Sequence, residues 1–452
     1  MTTVEDFDRQ AAEVGRAARK RVSRAALGEW KPEPGREDPV AILLKQNESR
    51  VPSLVPIRMA RMAVSPFTFL RGAAAVLAND LGSGPDTGLI TQLCGDAHLS
   101  NFGLFGTPER NLVFDVNDFD ETLPGPFEWD VKRLVASVAV AALGNGCSDE
   151  DAASAAEATA RGYREGIETM TEQDSLEIWY DRVDSDKVLE LVQRKKGRKI
   201  AEKTIASAKR HTSLQALDKL TEPDAAGIPR IKSQPPLLVP ITSPDAATVK
   251  SVFAEYRRTL PDHMRVLLNR YTFVEAAVKV VGVGSVGTRC FIALLMDKES
   301  GAPLFLQLKE ADTSVLAPYQ KPSRYKHQGH RVVAGQRLMQ ASSDIFLGWA
   351  TGPAGVHFYW RQFRDMKGSA DIANLTHRQL SNYGALCGGV LARAHCRSGD
   401  PLAINAYIGG SEKFDTALSD FAMSYSDQTM ADYRLLQSAI KDGRVEVADN
   451  PY

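Results

Sequence analysis

Two chemistry-bearing segments stand in an order that restricts the folds open to this chain. The first is Cys94-Gly95-Asp96-Ala97-His98-Leu99-Ser100-Asn101, followed by Asn117-Asp118-Phe119-Asp120-Glu121. The second, far downstream, is Gly282-Val283-Gly284-Ser285-Val286-Gly287 between two strand-like runs, with Lys309 on a third. The apolar runs Leu89–Leu93 and Asn111–Val116 read as short strands, which puts the first set on loops at strand ends. Phosphoryl transfer needs a carboxylate to take the proton of an acceptor hydroxyl, oxygen ligands for Mg²⁺, and a lysine with a backbone cradle for phosphates. A fold that uses both segments must bring them together across the intervening chain.

Composition excludes little. The 452 residues are 43% hydrophobic and 25% charged, ordinary for a globular chain long enough to form two lobes. Fifty-five basic residues against 56 acidic ones give a formal charge of −1, so there is no global pull toward nucleic acid or an anionic membrane. The basic run Arg194–Lys199 lacks the interleaved aromatics of a nucleic-acid surface and reads as a solvated face. Five cysteines without paired spacing point to a reducing compartment and away from a structural zinc site. The acidic start MTTVEDFDRQ is no secretory signal, and the apolar run Leu134–Leu143 is too short to span a bilayer. The expectation is a cytoplasmic protein with no nucleic-acid or membrane partner; oligomeric state is not legible.

Helical periodicity over 54–80 is interrupted near Pro66, and a helix starts near Asp130. Residues 148–222 read as mostly helical, with Ser148 at a capping-rich start. Residues 228–244 hold five prolines and read as a linker or extended crossing. From 271 the order is strand (Val274–Val281), glycine loop, strand, strand with Lys309, helix (329–341), two short strands and a long helix (Thr376–His395). The expected divisions are 1–270, a large-lobe part with a helical insertion; 271–365, a small β-lobe; and 366–452, helices completing the large lobe.

Each candidate has a plainer reading. Gly282, Gly284, Ser285 and Gly287 could form an ordinary hairpin turn; a dinucleotide-binding loop is excluded because the segment opens onto a strand and not a helix. A lone strand lysine is usually solvent-facing, Asp96 and Asn101 could cap turns, and Asp115, Asp118 and Asp120 could be a solvated acidic turn without an EF-hand pattern. His98 reads as a structural hydrogen-bonding residue. Arg58, Arg61 and Arg71 could face an anionic acceptor, although a solvated helix face is the simpler expectation.

CGDAHLSN resembles the HGDxHxxN loop of aminoglycoside-phosphotransferase-like kinases, and NDFDETLPGPFEWDVKRL resembles their metal-binding segment and following helix. The late helix ending Leu391-Ala392-Arg393-Ala394-His395 resembles the one that ordinarily precedes the catalytic loop. Phrases such as VPIRMARM, SPFTFLRGAAA, CGDAHLSNFG, GQRLMQASSDIFLGW and RDMKGS, from about residue 40 onward, resemble the bacterial family called domain of unknown function 2252. The first resemblance implies an α+β, protein kinase-like two-lobed fold, circularly permuted, with a small antiparallel β-lobe and a large helical lobe. It also implies roles: Asp96 as base, Asn101 and Asp118 as Mg²⁺ ligands with Asp120 additional and Asp115 competing, and Asp130 anchoring the catalytic loop. Lys309 and the loop 282–287 would hold the phosphates of ATP.

Two departures qualify that picture. Cys94 stands where the resembling loop carries histidine, and no glutamate occurs between Glu310 and Glu412 to pair with Lys309 from a helix. Gln336, Gln340, Glu310 and Asp312 are the substitutes in reach. The sequence therefore supports an ATP- and Mg²⁺-dependent phosphotransferase acting on a hydroxyl of a small molecule. AMP transfer to a protein and a non-catalytic nucleotide-binding regulator are the alternatives.

Overall fold

The computed structural model describes residues 4–191, 195–241, 245–280, 282–363 and 366–449. Val281, Arg194, Arg364 and Asp365, parts of the strand, basic run and RDMKGS phrase read above, lie outside them.

The helical part is organised around the helix Glu128–Gly144, whose side chains are buried on every face through Ala142. A helix apolar all round needs neighbours all round. Asp149–Thr171, His377–Cys396 and Lys413–Lys441 supply them. Asp149–Thr171 and His377–Cys396 approach closely because glycines face each other: a Cβ on Gly388 would lie 2.3 Å from Thr159 O, and one on Gly162 2.3 Å from Ala385 O. Ser148 caps Asp149–Thr171 by accepting from Asp151 N. Near Pro66 the helical periodicity resolves into two helices, Val55–Met62 and Pro66–Gly72, the second begun by a Ser65–Thr68 capping box.

The strands form small antiparallel sheets, so the protein is mixed α+β. Ile90–Leu93 pairs with Leu123–Pro126, and Phe102–Gly106 with Leu112–Val116. The largest sheet runs in spatial order Gly348–Thr351, His357–Gln362, Pro303–Glu310, Cys290–Asp297, Tyr271–Lys279, Leu238–Pro240, all neighbours antiparallel. It therefore reaches upstream of residue 271: the proline-rich stretch read as a crossing contributes an edge strand, where proline's missing N–H does least harm. One face packs on Val252, Tyr256 and Leu260, with Tyr256 stacked on Trp360. The other is covered by Ala216, Leu220 and Ile231. The helix Gln328–Met339 lies between this sheet and the loops that follow Ile90–Leu93 and Leu112–Val116.

The helix His377–Cys396 reaches the loop 94–101 despite its late place in the chain. Tyr383 Oη donates to Phe102 O at 3.0 Å, and the Ser398 hydroxyl accepts from Gln92 N at 2.8 Å. Its C-terminal end thus abuts the strand that leads into Gly95-Asp96. Among the described residues no helix is long and apolar enough to cross a membrane.

Candidate active site

The loop after Ile90–Leu93 is held from below. Asp130, in the first turn of Glu128–Gly144, accepts from Cys94 N at 2.8 Å and Gly95 N at 3.0 Å, and His395 Nε2 lies 3.3 Å from the same carboxylate. Gly95 has φ +84°, and a Cβ there would sit 2.3 Å from Glu121 O, so only glycine permits this turn. Cys94, buried, keeps its place through its backbone N–H, which makes a histidine unnecessary for that contact.

Asp96 receives Arg133 Nε on Oδ1 at 2.8 Å, and Oδ2 lies 3.6 Å from His98 Nε2. Burial raises the Asp96 pKa above the ordinary carboxylate value against the opposing pull of Arg133. His98 is driven well below the usual histidine range by burial and by Arg71 and Arg133, so the ring is neutral at pH 7. Its contact with Asp96 is therefore no ion pair. Asn101 Nδ2 donates to Asp96 O at 2.6 Å, and Asn101 O accepts from Asn117 N at 2.8 Å, tying the two loops together.

The three acidic candidates part company. Asp115 stands in the strand Leu112–Val116 and takes Arg393 Nη2 on both oxygens at 2.6 and 2.7 Å, with both side chains nearly inaccessible. It does not line the cavity, which corrects its place as a competing metal carboxylate: its charge is spent on Arg393. Asp120 is also committed, with Oδ2 2.5 Å from Lys309 Nζ and 3.3 Å from Ser285 Oγ, and Oδ1 accepting from Tyr359 Oη at 2.6 Å. Burial works against its charge, yet Lys309 and Tyr359 bring the Asp120 pKa below its ordinary value. Asp118 differs: its Oδ1 is buried with no hydrogen-bond partner, 3.5 Å from Lys309 Nζ.

Lys309 therefore has a counter-ion, and it is not one of the four proposed. Gln336 is bonded to Gln340, Gln340 to Val116 O, and Glu310 to Arg289, just before the neighbouring strand. Burial disfavours the ammonium, but Asp118 and Asp120 hold the Lys309 pKa well above the usual lysine value. In place of a glutamate, the helix Gln328–Met339 presents Arg331, which donates to Asp120 O at 2.9 Å, Thr122 O at 2.6 Å and Asp312 O at 2.8 Å.

Residues of both segments line one cavity of about 180 Å³: Asp96, His98, Asn101, Asp118 and Asp120 on one side, Gly282, Gly284 and Ser285 on the other, while Gly287 and Lys309 are not among its described lining residues. Gly282 has φ +72° and Gly287 φ +93°. The loop is pinned through its carbonyls: Arg61 Nη1 donates to Gly282 O at 2.6 Å, Arg50 Nη1 to Val286 O at 2.5 Å, and Val51 N to Gly287 O at 2.8 Å. The N-terminal arginines are thus no solvated face. Arg58 is fully buried against Asn47, Gln46 and Gly72 O, Arg61 holds the loop, and Arg71 lines the cavity.

Asn101 and Asp118 fit a Mg²⁺ ion: both offer hard oxygen ligands, and Asp118 Oδ1 is buried with no hydrogen bond, its compensation being the Lys309 ammonium 3.5 Å away. Among the described residues no three His, Cys, Asp or Glu side chains form a ready-made metal cage. An ion that keeps phosphate oxygens as most of its shell needs none.

Several contributors had weak or no signal. Arg133 stands three residues after Asp130, one helix face apart, which could have marked it. Tyr359 and Arg331 carry no motif, and their roles depend on how the strand His357–Gln362 and its neighbouring helix pack. The sequence matches, over residues 50–439, the family described as "Uncharacterized protein conserved in bacteria (DUF2252)". No curated protein and no solved structure matches it.

Proposed function

The chain belongs to the bacterial DUF2252 family, and we propose that it is an ATP- and Mg²⁺-dependent phosphotransferase acting on a hydroxyl of a small molecule. One observation carries this reading: Asp96, Asn101 and Asp118 share a cavity with Gly282–Ser285 of the glycine loop, and the buried Lys309 behind it is paired to Asp120. The same juxtaposition supports a circularly permuted, protein kinase-like arrangement. So do the sheet order of four sequential strands followed by the sixth and then the fifth, and the contact of Ser398 with Gln92.

Asp96 takes the acceptor proton; its raised pKa makes it a stronger base than a free carboxylate, Arg133 fixes its carboxylate, and Asn101 holds its main-chain carbonyl. Lys309 and the backbone of Gly282–Ser285 bind phosphate oxygens. Asn101 and Asp118 would hold Mg²⁺, which when bound would supply positive charge against the phosphate oxygens. Asp120, secured by Tyr359, keeps Lys309 charged and in place.

The test is transfer from labelled ATP in a metabolite pool with the purified full chain. Label from the γ-position on a small molecule, abolished in Asp118→Asn, supports the reading. Label from the α-position on a protein moves it to AMP transfer, and nucleotide binding without consumption moves it to a regulator.

A further inference from the structure

A second and larger cavity, about 730 Å³, lies behind the helix Gln328–Met339, between it and the strand Ile90–Leu93. Its walls combine two features that a solvated surface would not keep together. Ile90 and Trp179 are large apolar side chains left 49% and 42% exposed, and both line it. Lys321, Arg324, Arg331 and Arg337 line it as well, with no aspartate or glutamate among the described lining residues. In a chain whose acidic and basic residues balance, an acid-free cationic wall is a local arrangement. The volume falls in the range of small-molecule sites, which are largely apolar with a few placed polar groups.

We propose that this cavity binds a small organic anion with an aromatic or otherwise apolar body, a site separate from the cavity that holds Asp96. The apolar body would lie on Ile90 and Trp179, whose ring is backed by the Arg397 guanidinium 3.8 Å from its centroid. The anionic group would face Lys321, Arg324 and Arg337. Arg337 is partly fixed by donating to Leu347 O at 2.7 Å, so it meets a ligand with little ordering left to do. Arg331, on the same helix, bonds the backbone at Asp120 and Thr122, so an occupant would bear on the segment that supplies the counter-ion of Lys309. The proposal does not depend on phosphoryl transfer.

The probes are 1-anilinonaphthalene-8-sulfonate and its uncharged analogue N-phenyl-1-naphthylamine, titrated by fluorescence against the full chain. Saturable binding of the sulfonate is expected. The exposed pair Lys321→Glu/Arg324→Glu should weaken it about tenfold or more while changing the uncharged probe less than about twofold. Trp179→Ala should weaken both. The pair Lys321→Ala/Arg324→Ala, which adds no new charge, should give a smaller loss in the same direction. The proposal is overturned if the wild-type chain shows no saturable sulfonate binding, if charge reversal leaves that affinity within about twofold, or if it weakens both probes alike.

Discussion

Arg393→Met separates the structural acid of this site from the acids that face the cavity. Arg393 and Asp115 are 2% and 5% exposed, and one guanidinium nitrogen reaches both carboxylate oxygens. Removing the arginine leaves a buried carboxylate whose remaining donors are Val116 N at 2.8 Å and Ala341 N at 3.4 Å. Breaking a buried pair typically costs about 3–5 kcal/mol. The two surviving backbone donors place the expected loss near the lower end, about 3 kcal/mol, a large share of a marginal stability of about 5–15 kcal/mol. Removing both charges in Asp115→Leu/Arg393→Met should recover at least half of that loss, because no unpaired anion is left behind. Urea unfolding followed by tryptophan fluorescence reads both values. A loss below about 1 kcal/mol for Arg393→Met, or a double variant worse than the sum of the singles, would refute the assignment of Asp115 to Arg393.

Other variants test other parts of the account. Asp96→Asn should lower turnover about 10²–10⁴-fold while nucleotide still binds; turnover near wild type removes Asp96 from the chemistry. Gly95→Ala forces a side chain into left-handed backbone and against Glu121 O, and should destabilise the chain by at least about 1–2 kcal/mol with loss of activity. Lys132, buried between Glu128 and Phe421, is pushed down to about 8 by burial from the usual 10.5. A base with a depressed folded pKa penalises the fold below pH 8, and the penalty fades as pH rises from 8 toward 10.5. Lys132→Met should therefore stabilise the chain by about 1–3 kcal/mol at pH 7 and flatten the rise in stability above pH 8, read from urea midpoints across pH.

The residues that announced themselves in the sequence were those whose roles are local. Gly95 with Asp96 and the loop 282–287 opening onto a strand follow from short-range backbone geometry, whereas Asp130, which holds the loop at Cys94 and Gly95, was marked only by the resemblance to the kinase segment. The partner of Lys309 did not announce itself. No helix glutamate pairs with it; Asp120, far away in sequence, supplies the charge, and Arg331 on the helix Gln328–Met339 bonds the backbone beside it. The choice among Asp115, Asp118 and Asp120 was equally hidden, since three carboxylates within six positions differ only in which cation the tertiary fold brings to each. The proline-rich stretch misled for a related reason. Leu238–Pro240 is a strand only because it has a sheet edge to join.

Hydrogen exchange of the full chain, with and without a non-hydrolysable ATP analogue and Mg²⁺, tests the shared cavity most directly. The account predicts slowed exchange in both 94–120 and 282–310 in the same titration, with one apparent affinity, and loss of the Mg²⁺-dependent part in Asp118→Asn. Protection of one segment without the other, or of neither, would contradict it.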